Sequence, residues 1–514
     1  MDVVLHGRDL SLTEVKFLHA HDGSKDAPRE QTWVQLDIYG RGNNGYRWAG
    51  ETDVIEVVDS FLAAERTLGR DFLIDPNRMV LRGFSMGGAG TWQLGLHTPA
   101  RWCVLGPGAG FTTTHGYVKD LPDKLPTEQE ACLHIYDAVD YAENAFNVPV
   151  VAYAGALDPQ LQAARNIEAR LQPLNISMKL LVAPDLKHAF PPEWQKKAEA
   201  AYAPFVQKGR DEYPPRVHFV TYSLRYPSCA WVEIIGLNRH YDRALVDAEL
   251  TETGYTVKTA NVRALRLTLA ANAPNPLTLT IDGQSFSPRP YLGRNGTNSL
   301  YLERRDERWT DVLPQRLQVD RLRRLQKTQR LQGPIDDAFM ESFLCVRGTG
   351  TPWHEATQKY AEDNLKRFQE EWEKYFRGYL PVKDDVSVTE DDMAGHHLVL
   401  FGDPSSNSLI GQVLDGLPLR WTKEQIQFAG KSYSAADHVP ALLYPSPLHA
   451  GGYVVLNSGH TFHAADFQGT NALLYPRLGD YAILKIAPGE KDPLASQTVI
   501  SGLFDDYWQW ANPR

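Results

Sequence analysis

The stretch Met79–Trp92, MVLRGFSMGGAGTW, decides the fold. Its first five residues, Met79–Gly83, are mostly apolar and predict a short buried strand. A helical segment is predicted on the far side, running through Leu96. Between the two stands Gly83-Phe84-Ser85-Met86-Gly87, a G-x-S-x-G pattern. A serine held on so sharp a strand-to-helix turn needs small neighbours, because a side chain at either glycine would strike adjacent backbone. The helix that follows aims its first amides at the space before the serine, so the Met86 N–H is the expected first donor to an oxyanion. Ser85 is therefore the candidate nucleophile.

Working outward, strand-like and helix-like segments alternate. Asp2–Leu5 (DVVL) is a short β-branched run entering His6-Gly7, and Trp33–Tyr39 (WVQLDIY) is a second strand ending in RGNNG. Asp53–Leu68 carries Val54, Val57, Val58, Phe61 and Leu62 at helical spacing, with Thr52 or Asp53 as the expected cap. Val148–Ala154 reads as a strand, Pro159–Leu171 as a helix, Met178–Val182 as a strand and Pro192–Val206 as a helix. This rhythm predicts an α/β domain, a mostly parallel sheet with helices on both faces, over residues 1–210.

A nucleophilic serine needs a base, and the base needs an orienting carboxylate. For a serine on such a turn they follow in the order Ser, acid, His, each just past the C-terminal end of a later strand. Asp158 comes directly after VVAYAGAL, and His188 lies in PDLKHAF, between the strand MKLLV and a helix. Both settings fit, so Ser85, Asp158 and His188 are the candidate triad. Asp185 is the rival acid, in the same loop as the histidine. The second oxyanion donor is expected from Leu5-His6-Gly7-Arg8, through the Gly7 or Arg8 amide; a plain turn glycine is the alternative.

The chain is long enough, at 514 residues, for two to four domains. Near Tyr213-Pro214-Pro215 its character changes. From Val217 to about Leu302 the segments VHFVTYSLRY, AWVEIIGL, ALVDAEL, YTVKTA, VRALRLTLA and PLTLTIDG alternate with period two between turn residues. They predict a β-sandwich-like module over residues 211–332. Arg316–Arg330 is strongly basic and is read as a solvated linker or covering segment. A smaller α/β domain is expected over residues 333–514. It opens with a long amphipathic helix, Trp353–Phe376, and includes the strands His397–Phe401, Gln425–Phe428, Tyr453–Leu456 and Tyr481–Ile486. Within it, Gly402–Asn407 (GDPSSN) is read as a helix cap in preference to an anion-binding turn. The two histidines of Asn457–His463 have no identifiable nucleophile and acid to form a second site.

Lys and Arg number 53 against 63 Asp and Glu, a net charge of -10, which argues against nucleic acid or an anionic membrane surface as the main partner. No apolar run approaches the roughly 20 residues that span a bilayer. The first residues lack the pattern of a signal peptide, so a cytoplasmic location is expected for the chain as it reads, and a secreted one if a leader precedes it. Cys103, Cys132, Cys229 and Cys345 lie far apart without a C-x-x-C pair and are expected as buried free thiols.

Five stretches together resemble the α/β-hydrolase superfamily, and within it the catalytic domains of the prolyl oligopeptidase-like group and related bacterial carboxylesterases. They are LHG at Leu5–Gly7, RGNNGYRWAGETD at Arg41–Asp53, GFSMGGAGTW at Gly83–Trp92, GALD at Gly155–Asp158 and KHAF at Lys187–Phe190. The resemblance covers about residues 1–208. It implies acyl transfer through Ser85, with His188 moving the proton and Asp158 fixing the imidazole, and it implies no cofactor and no metal. The sequence departs from the group in two ways. Strands that normally precede the His-Gly loop are missing from the chain as it reads, and no β-propeller precedes the catalytic domain. The segment between Phe111 and Phe146 falls where this fold places a cap over the serine; a cap and an ordinary covering helix both fit it. A small or medium acyl or aryl ester is the expected substrate and partner. An oligopeptidase-type peptidase and an acetyl or feruloyl esterase on plant-wall carbohydrate are the alternatives, and self-association is left open.

Overall fold

The computed structural model describes residues 1–23, 31–487, 494 and 496–511. The chain divides into two compact units. The first comprises Met1–Leu121, His134–Gln318 and Thr470–Ala472; the second comprises Pro122–Leu133, Val319–Gly469 and Leu473–Arg514.

The first unit opens with six strands: β1 (Asp2–Leu5), β2 (Gln35–Ile38), β3 (Val80–Phe84), β4 (Val104–Gly108), β5 (Val151–Gly155) and β6 (Lys179–Ala183). Their order is β2-β1-β3-β4-β5-β6, and every pairing is parallel. Parallel strands need a crossover between neighbours, and helices supply it here. They are α1 (Glu14–Ala20), α2 (Ala49–Thr67), α3 (Met86–His97) and α5 (Leu161–Leu171); α6 (Pro192–Lys208) follows the last strand, and α4 (Thr127–Leu133) belongs to the second unit. Because side chains alternate along a strand, the sheet feeds two cores. Val3, Leu5, Leu81, Leu105 and Ala152 join Val54, Val58, Leu94 and Ile167 on one face. Val80, Val104 and Val151 join Ala198, Ala201 and Tyr202 of α6 on the other. The expected α/β architecture, with helices on both faces, is the one observed.

The structure corrects one local expectation, adds a strand, and selects one of two readings of a third segment. No side chain of Thr52 or Asp53 caps α2, which starts earlier, with Trp48 at its N-cap at φ 56°. Asp53 is engaged elsewhere, accepting from Arg41 Nε at 2.9 Å. Strand β4, VLGPG, is not among the expected strands, since glycine and proline ordinarily break one. Here the missing side chains are required, since a Cβ on Gly106 would lie 2.2 Å from the Tyr202 hydroxyl. Finally, within the segment between Phe111 and Phe146, the 3-10 run Ala138–Phe146 packs among α3, α5 and the first sandwich strand as a covering element of the core.

The β-rich region is a two-sheet sandwich within the same unit. Its strands are β7 (Arg216–Thr221), β8 (Ser228–Cys229), β9 (Val232–Leu237), β10 (Ala244–Thr251), β11 (Gly254–Ala260), β12 (Val262–Thr268), β13 (Thr278–Ile281), β14 (Gln284–Phe286), β15 (Tyr291–Leu292), β16 (Asn298–Arg305) and β17 (Arg308–Asp311). One sheet runs β14-β13-β11-β10-β7; the other runs β15-β16-β12-β9-β8, with β17 on β16. Val217, Phe219, Val246, Leu265, Leu267, Leu300 and Trp309 fill the space between them. Asn144 ties the sandwich to the sheet domain. Its amide donates to Leu96 O and Val220 O at 2.8 and 2.9 Å, and its Oδ1 accepts from Val220 N at 2.8 Å.

The second unit holds a seven-stranded sheet, four of whose strands are parallel, with a three-stranded antiparallel sheet beside it in the chain. The long predicted helix is α-helical over Glu355–Glu371 and ends in one π turn, Trp372–Phe376. The basic run is helical over Pro314–Arg324 and departs from a solvated linker at Lys327, which is fully buried against Asp480 at 2.9 Å. Asn407 caps the helix after GDPSSN, accepting from Leu409 N and Ile410 N, and Asp403 accepts from Ser405 N and Ser406 N. That turn is satisfied by its own carboxylate. All four cysteines are free and buried. No helix among the described residues is long and apolar enough to cross a membrane.

Candidate active site

The site is assembled at the C-terminal ends of β3, β5 and β6, where loops leave a parallel sheet. Ser85 follows β3 and takes φ 60° and ψ -118°, a conformation unfavourable for a residue with a Cβ. The surrounding contacts hold it there. The Ser85 N–H donates to Gly108 O at 2.8 Å, so the end of β4 anchors the turn. The flanking glycines are demanded by space: a Cβ on Gly83 would lie 2.5 Å from the Gly87 carbonyl, and one on Gly87 only 2.0 Å from Leu5 O. These are the collisions that the G-x-S-x-G spacing avoids.

His188 and Asp158 arrive from separate loops and complete a line of hydrogen bonds. His188 Nε2 lies 2.8 Å from Ser85 Oγ, and His188 Nδ1 lies 2.7 Å from Asp158 Oδ2. Asp158 Oδ1 accepts from Gln160 N at 2.9 Å, so both carboxylate oxygens are engaged. The Asp158 side chain is 1% exposed and the His188 side chain 38%. The acid is therefore shielded from water while the imidazole reaches the surface beside the serine. Asp185 is exposed and sits at φ 58°; it is Asp158 that occupies the Nδ1 side of the ring.

Several residues outside the triad support this line. A Cβ on Gly155 would lie 2.2 Å from Leu186 O and 2.4 Å from Lys187 O, so this glycine lets the histidine loop close over the end of β5. The Tyr153 hydroxyl donates to Ala189 O at 2.7 Å, and the Tyr153 ring packs on Phe190 at 4.2 Å between centroids. Phe84, next to the serine, packs on the His188 ring at 4.8 Å. The aromatic set positions the imidazole by contact on one side as the carboxylate does by hydrogen bonding on the other. Phe190 belongs to the KHAF stretch, whereas Tyr153 is legible in the sequence only as an apolar residue of a strand.

Of the three candidate oxyanion donors, the structure sets Met86 and Gly7 next to the serine. Met86 is the first residue of α3. Gly7 is a close neighbour: a Cβ built on it would lie 3.7 Å from Ser85 Cβ and 3.5 Å from Phe84 O. Arg8 follows directly in the same loop. That loop is braced by His6, whose Nδ1 is 2.7 Å from Gly7 O and whose Nε2 is 3.0 Å from Tyr39 O. The Tyr46 hydroxyl donates to His6 O at 3.0 Å.

The RGNNGYRW stretch that precedes α2 lies behind this brace. Arg41, Tyr46 and Trp48 all have positive φ, as do Gly42 and Gly45. Arg47 is fully buried, its guanidinium 5.0 Å from the Tyr136 ring and 5.4 Å from Phe111. Glu51 is buried too and accepts from the hydroxyls of Tyr136 and Tyr226 at 2.7 and 2.9 Å. Burial pushes its carboxyl above the usual range, against the pull of Arg225 and the two hydroxyls. In the second unit, His460 lies 3.3 Å from Asp336, and His463 faces Glu371 at 3.2 Å while heading a short helix. The two nearby hydroxyls are both engaged: Thr461 donates to Asp336 at 2.6 Å and Ser458 to Gly459 O.

Residues 27–209 match the model of the prolyl oligopeptidase family. A comparison with curated proteins gives no match. Among solved structures, dipeptidyl peptidase 4 of Porphyromonas gingivalis is similar over 40% of this chain and 31% of its own, at 17% identity and a TM-score of 0.29. A puromycin-hydrolyzing peptidase of Mycobacterium tuberculosis matches over 40% and 34%, at 17% identity and 0.29. The serine hydrolase FphF of Staphylococcus aureus matches over 40% and 82%, at 14% identity and 0.28. The chain thus spans about a third of the length of the first two.

Proposed function

We infer that this chain, whose residues 27–209 match the model of the prolyl oligopeptidase family, hydrolyses small or medium acyl or aryl carboxylic esters through Ser85. The observation that carries the reading is the unbroken line Ser85 Oγ, His188, Asp158, at 2.8 and 2.7 Å. In this reading Ser85 Oγ attacks the ester carbonyl while His188 Nε2 accepts its proton. Asp158 holds the Nδ1–H and stabilises the imidazolium without taking the proton. The oxyanion is met by the Met86 amide and by Gly7 or Arg8. His188 then protonates the departing alcohol. Water, deprotonated by the same imidazole, attacks the acyl carbon; the bond to Ser85 Oγ breaks, His188 returns the proton to Oγ, and the acid leaves.

Esters ask less of the leaving group than amides do, and the partly exposed serine and imidazole suit a substrate that enters without a gate. A peptidase is the second reading, favoured by the family to which residues 27–209 match. The test is kcat/KM on a p-nitrophenyl ester series beside a chromogenic peptide panel, with Ser85→Ala as control. Ester turnover that exceeds peptide turnover and vanishes in the variant is expected; the reverse preference would make the chain a peptidase.

A further inference from the structure

The catalytic groups occupy one end of the sheet; the other end carries a second, unassigned cavity. It is a cleft of about 760 Å³ between the sheet domain and the sandwich, within the first unit. Trp102 and Cys103 precede β4, Val150 precedes β5, and Met178 and Lys179 lie at the start of β6; all line the cleft. Strands of five residues separate these positions from the triad by roughly 15 Å. The volume is that of small-molecule sites, on the order of 300–1,000 Å³.

Its chemistry is two-sided. Phe146, Leu174, Ile176, Met178 and Phe205 supply apolar surface, and Phe146 and Leu174 are partly exposed, whereas Trp102 is 1% exposed and belongs to the core. Four cations line the same cleft, Lys179, Lys208, Arg210 and Arg216, against one carboxylate, Asp211. Arg216 is committed, with Nε and Nη2 on Asp247 at 3.0 and 2.9 Å and its guanidinium over Phe146. The other three are not. Among the described residues neither Lys179 nor Lys208 pairs with a carboxylate. Arg210 reaches Glu212 only at 4.0 Å, and its buried Nε has no hydrogen-bond partner there. The backbone is fixed at this point, since Arg210 N donates to Asn77 O at 2.7 Å. The Arg210 guanidinium is 25% exposed and, with the two ammonium groups, leaves the cleft a surplus of positive charge that suits an anion.

We propose that this cleft binds an amphiphilic carboxylate, its chain against Phe146, Leu174 and Met178 and its carboxylate on Arg210, Lys208 and Lys179, at a site separate from the catalytic serine. The charge balance and the continuous apolar wall each point to one half of such a ligand.

The test is calorimetric titration of the full chain with sodium decanoate below its micelle concentration. One saturable site per chain is expected. Lys208→Ala with Arg210→Ala should weaken binding at least about tenfold, the loss of one charge-assisted hydrogen bond or more, and decan-1-ol should bind more weakly than decanoate by a similar factor. Ser177→Trp, which narrows the exposed mouth, should abolish binding, whereas Ser85→Ala should leave it unchanged. Both cleft variants should keep wild-type melting and ester turnover, which separates lost binding from lost folding. No saturable heat, binding indifferent to both cleft variants, or equal affinity for the alcohol would overturn the proposal. So would binding that disappears with the Ser85 substitution.

Discussion

Ser85 and His188 stand far apart in the chain, yet each is held by neighbours that leave it little freedom. Both oxygens of Asp158 are used, one on the imidazole and one on Gln160 N. Replacing Asp158 by Asn puts an amide where the Nδ1–H needs an acceptor. Ester kcat is expected to fall by a factor on the order of 10⁴, the scale of an acid-to-amide change in such a triad. Asp185→Asn should leave kcat within about twofold, since it lies outside the line; parallel kinetics on the two variants measure the difference. A second residue-scale prediction concerns His397. Its Nδ1 accepts from Tyr453 N at 3.1 Å, and burial, aided by the charges of Arg330, His396 and His449, holds its pKa down to about 4. Between pH 6.5 and 4 the unfolded chain binds a proton that the native one refuses, so stability falls as pH falls through that window. The loss is up to about 3 kcal/mol. His397→Asn keeps an acceptor that does not titrate and should flatten the dependence, as read by denaturant unfolding at pH 6.5 and 4.5.

At the scale of elements, the turn around Ser85 depends on close approach. Gly87→Ala would set a Cβ 2.0 Å from Leu5 O and force α3 away from β1. A stability loss above about 2 kcal/mol is expected, together with loss of esterase activity; thermal melting and turnover measured on the same preparation check both. Gly155→Ala should act differently, moving the histidine loop and lowering kcat more than stability. The contrast explains what was legible in the sequence. The triad could be read because each member follows a strand whose apolar run is local, and the sandwich because β10 alternates buried and partly exposed positions almost throughout. Strand β4 escaped notice, although Gly108 holds the Ser85 amide, because its glycines answer to Tyr202 and Phe84, which are remote in sequence. The cap of α2 was misread for a similar reason. Arg41 claims Asp53, and the Trp48 amide at the helix start finds the Tyr136 hydroxyl at 2.7 Å. In the second unit, His438–Pro445 was hidden by its two prolines and Ser496–Gly502 by its polar composition.

At the scale of the molecule, the sandwich is part of the fold of the first unit. Tyr226, beyond the end of the sheet domain, belongs to the same core as Leu81 and Val54, and Asn144 satisfies two carbonyls and one N–H by itself. Asn144→Ala would strand buried polar groups in both modules. It is expected to cost about 3 kcal/mol or more, measured by denaturant unfolding. All of this organisation serves one claim, that Ser85 is an activated nucleophile. The most direct test is labelling of the native chain with a fluorophosphonate, with the adduct located by peptide mass mapping. A single adduct on Ser85, absent in Ser85→Ala and strongly slowed in His188→Gln, is predicted. A folded chain that stays unlabelled, or that carries its adduct on another residue, would contradict the account.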